Sequence, residues 1–195
     1  MSQEHSYASD KLLWLAVQKG RPDAFRELYL SYADLLYNYG CKMNPDRELV
    51  KDSMQDVFPT LWEKRQDLHI KTSVKSYLFQ MFRRDLIHKL QRTSRELIKE
   101  EDVGFELSIE SKIIMDEAQI HLRQQLHAAV KTLTPRQKEI LFLRFYEKLP
   151  YEEISDLMAL NRNSMYKLLS AAIKRLKDQL TCLIPATGIL LDWLV

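Results

Sequence analysis

The chain has 195 residues, room for one or two compact units, and its net charge of +2 averages over blocks of opposite sign. Four glycines, six prolines and apolar residues recurring at three- and four-residue steps set the class as all-α. Cys41 and Cys182 are lone thiols without CxxC or Cys/His spacing, which argues against a disulfide framework and against zinc. The histidines form no metal-ligand pair, and there is no phosphate-cradling glycine loop, so no metal, cofactor or small-molecule substrate is expected.

The polar N-terminus lacks the charged and apolar regions of a signal peptide. The apolar tail is too short to span a bilayer and is broken by Pro185, Gly188 and Asp192. A cytoplasmic location follows as the expectation.

In chain order, Leu12, Leu13 and Val17 mark a first short helix, ended by Gly20-Arg21-Pro22. Phe25, Leu28, Tyr29, Tyr32, Leu35, Leu36 and Tyr39 mark a second, and Gly40 to Asp46, with Asn44-Pro45, is expected to break it. A third, over about 47–64, carries Val50, Met54, Val57, Phe58, Leu61 and Trp62 as its buried stripe, with Pro59 expected to kink it or begin a new turn. Phe58 and Trp62, one turn apart, read as core rather than stacking platforms. After the polar loop 66–73 a fourth helix runs over about 74–92. Residues 93–111 form an acidic linker, and a further helix spans about 113–131 with Ile120, Leu126 and Val130 inward. Thr134-Pro135-Arg136-Gln137 then combines a capping Thr, Pro at the first helical position and Gln at the third. The resulting division is a front unit over 1–92, the linker over 93–111, a rear unit over 112–180 and an apolar tail over 181–195. Such a tail needs cover, with packing onto the rear unit favoured over a partner.

Charge follows the same division. Residues 83–99 hold Arg83, Arg84, Lys89, Arg92, Arg95 and Lys99 against Asp85 and Glu96. Residues 100–119 are strongly acidic, and 161–180 are basic again through Arg162, Lys167, Lys174, Arg175 and Lys177. Two basic blocks about an acidic stretch suggest two DNA-facing surfaces with a solvated joint between them.

The rear block has an internal pattern. Tyr151 to Met158 forms a short helix with Ile154, Leu157 and Met158 inward; Ala159-Leu160-Asn161 makes a turn, and Asn161 caps the next helix. That helix buries Met165, Leu168, Leu169, Ala172 and Leu176, and presents Arg162, Asn163, Tyr166, Lys167, Ser170, Lys174 and Arg175. A second helix set steeply by a three-residue turn fits a major groove, with Arg, Asn and Lys near its start able to read base edges. The competing structural reading is a plain helical hairpin with a solvated basic face.

With both halves in view, the chain resembles the extracytoplasmic-function (ECF) subgroup of bacterial sigma factors, of the sigma-70 family. Leu133-Thr134-Pro135-Arg136-Gln137, then Leu141-Phe142-Leu143-Arg144-Phe145-Tyr146 and Tyr151-Glu152-Glu153-Ile154, look like the family's region 4. Asp52-Ser53-Met54-Gln55-Asp56-Val57-Phe58 with Leu61-Trp62 is similar to the region 2 helix that grips the polymerase clamp, and Tyr77-Leu78 with the following basic helix looks like the part that contacts the −10 element. There are departures. Arg84 and His88 stand where the family usually carries Asn and, four residues on, Asp. Ala159 replaces the customary turn glycine, Pro150 a Ser or Thr cap, and Leu168 and Ala171 hold recognition-helix positions that are often Arg.

The resemblance implies a non-enzymatic initiation factor that binds core RNA polymerase and directs it to promoter DNA. Asp52, Gln55 and Asp56 match the clamp-binding motif. Lys71, Thr72, Ser73, Lys75, Arg83, Arg84 and Lys89 would serve the −10 element, where a base leaves the stack at a cost of a few kcal/mol. Arg84 is the favoured base-proximal residue. Arg162, Asn163, Tyr166, Lys167, Ser170, Lys174 and Arg175 would serve the −35 element. An anti-sigma factor, in some branches tethered to the membrane, is the implied further partner. The rival is a two-domain helix-turn-helix regulator with a sensory front domain, which leaves the Asp52 motif and the basic helix unexplained.

Overall fold

The computed structural model describes residues 3–70, 72–93, 103–107 and 117–183. Four helices build the front half: α1 (Gln3–Gln18), α2 (Pro22–Met43), α3 (Arg47–Glu63) and α4 (Val74–Thr93). The rear half holds α5 (Glu117–Lys131), α6 (Pro135–Leu141), a π-helical turn (Phe142–Tyr146), α7 (Tyr151–Leu157) and α8 (Arg162–Leu183). No strand occurs among the described residues. The tail residues 184–195, Lys71 and most of the acidic linker lie outside them.

Local sequence sets most of the boundaries. Gly20, at φ +78°, ends α1 as its N–H reaches the Val17 carbonyl (2.8 Å) and the Arg21 N–H reaches Ala16 (3.2 Å), the paired closure of a helix C-terminus that glycine permits. Asp46 caps α3, accepting from the N–H groups of Glu48 (3.0 Å) and Leu49 (3.2 Å). The capping box at α6 is formed in both directions: the Gln137 N–H donates to Thr134 Oγ1 (3.3 Å), and the Thr134 N–H to Gln137 Oε1 (3.1 Å). Pro59 does not end α3. The helix runs on to Glu63, with Leu61 fully buried beyond it.

The front core gathers Leu28, Leu36, Val50, Leu61, Leu78, Phe82 and Leu86 where α2, α3 and α4 cross. Gly40 makes that crossing close: a Cβ there would lie 2.7 Å from both Phe82 Cζ and Val50 Cγ1. The rear core gathers Ile140, Leu143, Ile154, Met158, Met165 and Ala172.

The halves share a seam, with α4 packed on α7. Tyr39 lies 5.1 Å from Phe79, 5.9 Å from Phe105 and 6.0 Å from Phe142, ring centre to ring centre, and stacks on Phe142. Phe105 belongs to the acidic stretch, so the expectation of a solvated joint fails there. Val103 and Phe105 are buried, and the Glu106 N–H donates to the Lys42 carbonyl (2.7 Å).

Candidate nucleic-acid and partner surfaces

On α3, Asp52, Gln55 and Asp56 are all exposed on the side away from the buried Val50 and Val57, as helical spacing requires. Beside Gln55 an open groove of about 750 Å³ is lined by Phe25, Tyr29, Met54, Phe58, Pro59 and Trp62 among others. Phe58 is core, as expected, but Trp62 is only partly covered; it packs 4.9 Å from Phe25 and carries the Arg65 guanidinium 4.1 Å above its ring. Phe25 and Tyr29, whose spacing places them on the inward stripe of α2, also line this groove, which helical periodicity alone does not distinguish from core.

Asp56 also reaches α4: its carboxylate pairs with Lys89 Nζ at 2.6 Å, and Lys89 pairs a second time with Asp85 at 3.2 Å. Partial burial pulls the Lys89 pKa down, but the two carboxylates outweigh it and the net shift is upward. One candidate polymerase contact and one candidate DNA contact are thereby joined.

The remaining front candidates divide. Thr72 and Arg84 are exposed, and Arg84 lines a cleft of about 420 Å³ between α3 and α4 with Tyr77 and His88. Burial pushes the Tyr77 hydroxyl pKa up, against a smaller opposing effect of Arg84. Ser73, Lys75 and Arg83 instead face the rear half. Ser73 Oγ caps α4 by accepting the Ser76 N–H (3.1 Å), while Glu153 accepts both the Ser73 N–H (3.0 Å) and its hydroxyl (2.8 Å). Lys75 Nζ donates to the Glu147 carbonyl (2.8 Å) and pairs with its carboxylate (2.7 Å). Gln80 donates to the Asp156 carbonyl (2.9 Å).

Arg83 makes the deepest of these contacts. Its Nε and Nη2 donate to the two oxygens of Glu139 at 2.8 and 3.3 Å, and the Tyr39 hydroxyl donates to the same carboxylate at 2.5 Å, all of them buried. The fork geometry is the strong form of such a pair. Burial first, and the Glu139 charge second, hold the Tyr39 pKa well above its ordinary value.

In the rear half the three-residue turn is formed. Ala159 adopts φ +50°, the left-handed conformation glycine takes most easily, and Asn161 Oδ1 caps α8 by accepting the Ser164 N–H (2.8 Å). Met165, Leu169 and Ala172 are buried, whereas Leu168 and Leu176 are half-buried. Arg162, Asn163, Tyr166, Lys167, Ser170, Lys174 and Arg175 are all exposed, and Arg162 is tied to Glu152 at 2.9 Å. A helix carrying this row of cations and amides beyond a tight turn has the form of a DNA-reading element.

An all-helical front half followed by a helix-turn-helix with an exposed basic face has the architecture of a DNA-binding transcription factor. The Sigma-70 region 2 family model matches residues 28–96, and the Sigma-70 region 4 model matches 123–176. Among curated relatives, the ECF RNA polymerase sigma factor SigM of Bacillus subtilis (strain 168) is 25% identical over 155 residues, covering 77% of this chain and 91% of SigM. Two solved structures share the fold. CnrH in complex with the cytosolic domain of CnrY has a TM-score of 0.59 at 16% identity, covering 89% of this chain and 97% of that one. The sigma factor RpoE in complex with the anti-sigma factor NepR, from Bartonella quintana, has 0.57 at 18%, covering 80% and 96%. The chain belongs to the sigma-70 family and is an ECF sigma factor, a protein that binds core RNA polymerase and directs initiation at promoters. The region 2 match accounts for the half that the rival regulator reading gave to a sensor. Among the described residues no helix is long and apolar enough to cross a membrane.

Proposed function

We propose that Asp52, Gln55 and Asp56 of α3 seat this sigma factor on the polymerase clamp, that α4 and the loop before it hold the −10 element, and that the outer face of α8 docks on the −35 duplex. The observation that carries this reading is the arrangement of α8. Its cations and amides are exposed, its N-terminus is capped by Asn161, and its opposite side is locked into the rear core by Met165 and Ala172. Arg162 and Asn163, in the first turn, read base edges; Lys167, Lys174 and Arg175 neutralise phosphates.

On the front half, Thr72 and Arg84 contact the separated strand from the open side of α4, with Lys71 as a further phosphate contact; Ser73, Lys75 and Arg83 are engaged by Glu153, Glu147 and Glu139, and Lys89 by Asp56 and Asp85, and do not take that role in this arrangement. The polymerase supplies the bond-forming chemistry, and the protein works in the cytoplasm. An anti-sigma factor is its further partner, a reading supported by the two solved relatives, one bound to the cytosolic domain of CnrY and the other to NepR.

Charge reversal at Asp52 and Asp56 together tests the clamp assignment. Co-purification with core polymerase and run-off transcription both fall while helicity by circular dichroism is kept. A double variant that binds core as well as the parent overturns the assignment.

A further inference from the structure

Glu152 and Glu153 are neighbours in α7 with opposite placements. Glu153 is buried and takes the N–H and hydroxyl of Ser73, whereas Glu152 is exposed and accepts from Arg162 Nη2 at 2.9 Å. Arg162 opens α8, on the face that also carries Asn163, Tyr166 and Lys167. An acid beside that face works against binding, because it repels the phosphates that Lys167, Lys174 and Arg175 attract. Nor does the pair hold the fold: the Arg162 and Glu152 side chains are 68% and 65% exposed, and pairs so solvated contribute little. The spacing of the two helices is set by other contacts. The Tyr151 ring lies 5.3 Å from that of Tyr166, the Arg144 guanidinium sits 4.2 Å over Tyr151, Asn161 caps α8, and Met165 is buried.

We infer that Glu152 is a positioning residue for base recognition: by taking one amino group of Arg162 it turns the rest of the guanidinium into the groove, where Arg162 reads guanine. The inference rests on the reading of α8 as the −35 helix. Arginine recognises guanine through two donors aimed at O6 and N7. Its guanidinium is a rigid plane of N–H donors, and Glu152 engages Nη2, so the plane is held at one corner and its other donors are left for a base. An untethered arginine swings among its rotamers and settles on phosphates as readily as on a base edge. The carboxylate also repels the phosphates nearest to it, which disfavours that second outcome. Glu152 therefore lowers affinity for any duplex and widens the gap between cognate and non-cognate ones. Entry into the groove removes water from the pair and strengthens it.

Holoenzyme reconstituted from the full-length protein and core RNA polymerase tests this on promoter fragments randomised through the upstream element. Arg162→Ala identifies the position, as the place where a guanine preference disappears. There the parent prefers guanine about tenfold over the other bases, and 7-deazaguanine, which lacks the N7 acceptor, lowers its affinity severalfold. Glu152→Gln leaves thermal unfolding unchanged, but cuts the guanine preference to about threefold and tightens binding to a duplex without promoter sequence. A residue that merely supported the fold would weaken binding to both duplexes together. Glu152→Gln/Arg162→Ala has the preference of Arg162→Ala alone, since the carboxylate acts through the guanidinium.

Full guanine preference in Glu152→Gln overturns the proposal, as does a uniform loss on cognate and non-cognate duplexes or a lowered thermal midpoint. An upstream element at which Arg162→Ala erases no guanine preference overturns it too, and leaves the reading of α8 standing on its other contacts. A holoenzyme that transcribes as well with the upstream element replaced as with it intact removes the reading of α8, and this inference with it.

Discussion

Gly40→Ala is the sharpest test of how the front half is assembled. In an ordinary helix interior this change stabilises by about 1 kcal/mol through propensity. Here the added methyl would sit 2.7 Å from Phe82 Cζ and 2.7 Å from Val50 Cγ1, whereas carbon contacts are comfortable at roughly 3.5–4.0 Å. Both neighbours are fully buried, so neither can swing into solvent. Overpacking of this kind costs about 1–3 kcal/mol, and two simultaneous contacts place it at the upper end. The net loss is about 2 kcal/mol, or a fall in Tm of about 4–8 °C for a chain of this size. Urea and thermal unfolding followed by circular dichroism give the value. Gly40→Ala/Val50→Ala should lose less than the sum of its single variants, by at least about 0.5 kcal/mol, because one clash is removed. A Gly40→Ala protein as stable as the parent, or more so, would refute the close crossing of α2, α3 and α4.

Two further outcomes concern charge and readout. Lys174→Ala should weaken duplex binding about equally on all sequences and lower the log–log salt slope by about one unit, whereas Asn163→Ala should alter sequence preference; a uniform effect of Asn163→Ala removes direct readout there. Because the folded-state pKa of Tyr39 is raised above 10.0, its contribution to stability is complete below that value and is lost as pH rises through the folded pKa. Tyr39→Phe should cost about 1.5–3 kcal/mol at neutral pH and flatten the alkaline fall in stability; an unchanged alkaline limb would show that Tyr39 does not carry it.

What was legible in the sequence was what neighbouring residues decide. The Thr134 capping box and the Asn161 cap rest on contacts a few residues apart and formed as read, and the inward stripe of α8 formed at Met165, Leu169 and Ala172 while Leu168 and Leu176 are only half-buried. The covered face of α4 was not legible, because its partners are remote. Arg83 meets Glu139 across 56 positions, Lys75 meets Glu147 across 72 and Ser73 meets Glu153 across 80. Nothing near Lys75 or Arg83 distinguishes a cation awaiting phosphate from one already paired. The buried stretch of the linker did leave a trace. Val103, Phe105 and Leu107 alternate with the exposed Gly104 and Glu106, the two-residue period of an extended segment packed on one side. The surrounding acids outweighed it. Pro59 stands inside α3, four residues before its last residue, and the helix continues beyond it.

The hydrogen bond from Tyr39 to Glu139 spans 100 positions, and that separation has a consequence for the protein's birth. A ribosome adds about 5–20 residues each second, so Tyr39 precedes Glu139 by roughly 5–20 s. Helices form in microseconds or less, and small helical units follow within milliseconds. During that interval α1 to α4 can fold while α6 and α7 do not yet exist, with Ser73, Lys75 and Arg83 bathed in water. Every molecule is therefore open before it is first closed, and a nascent chain offers its basic helix to nearby polyanions for seconds before its own acids arrive.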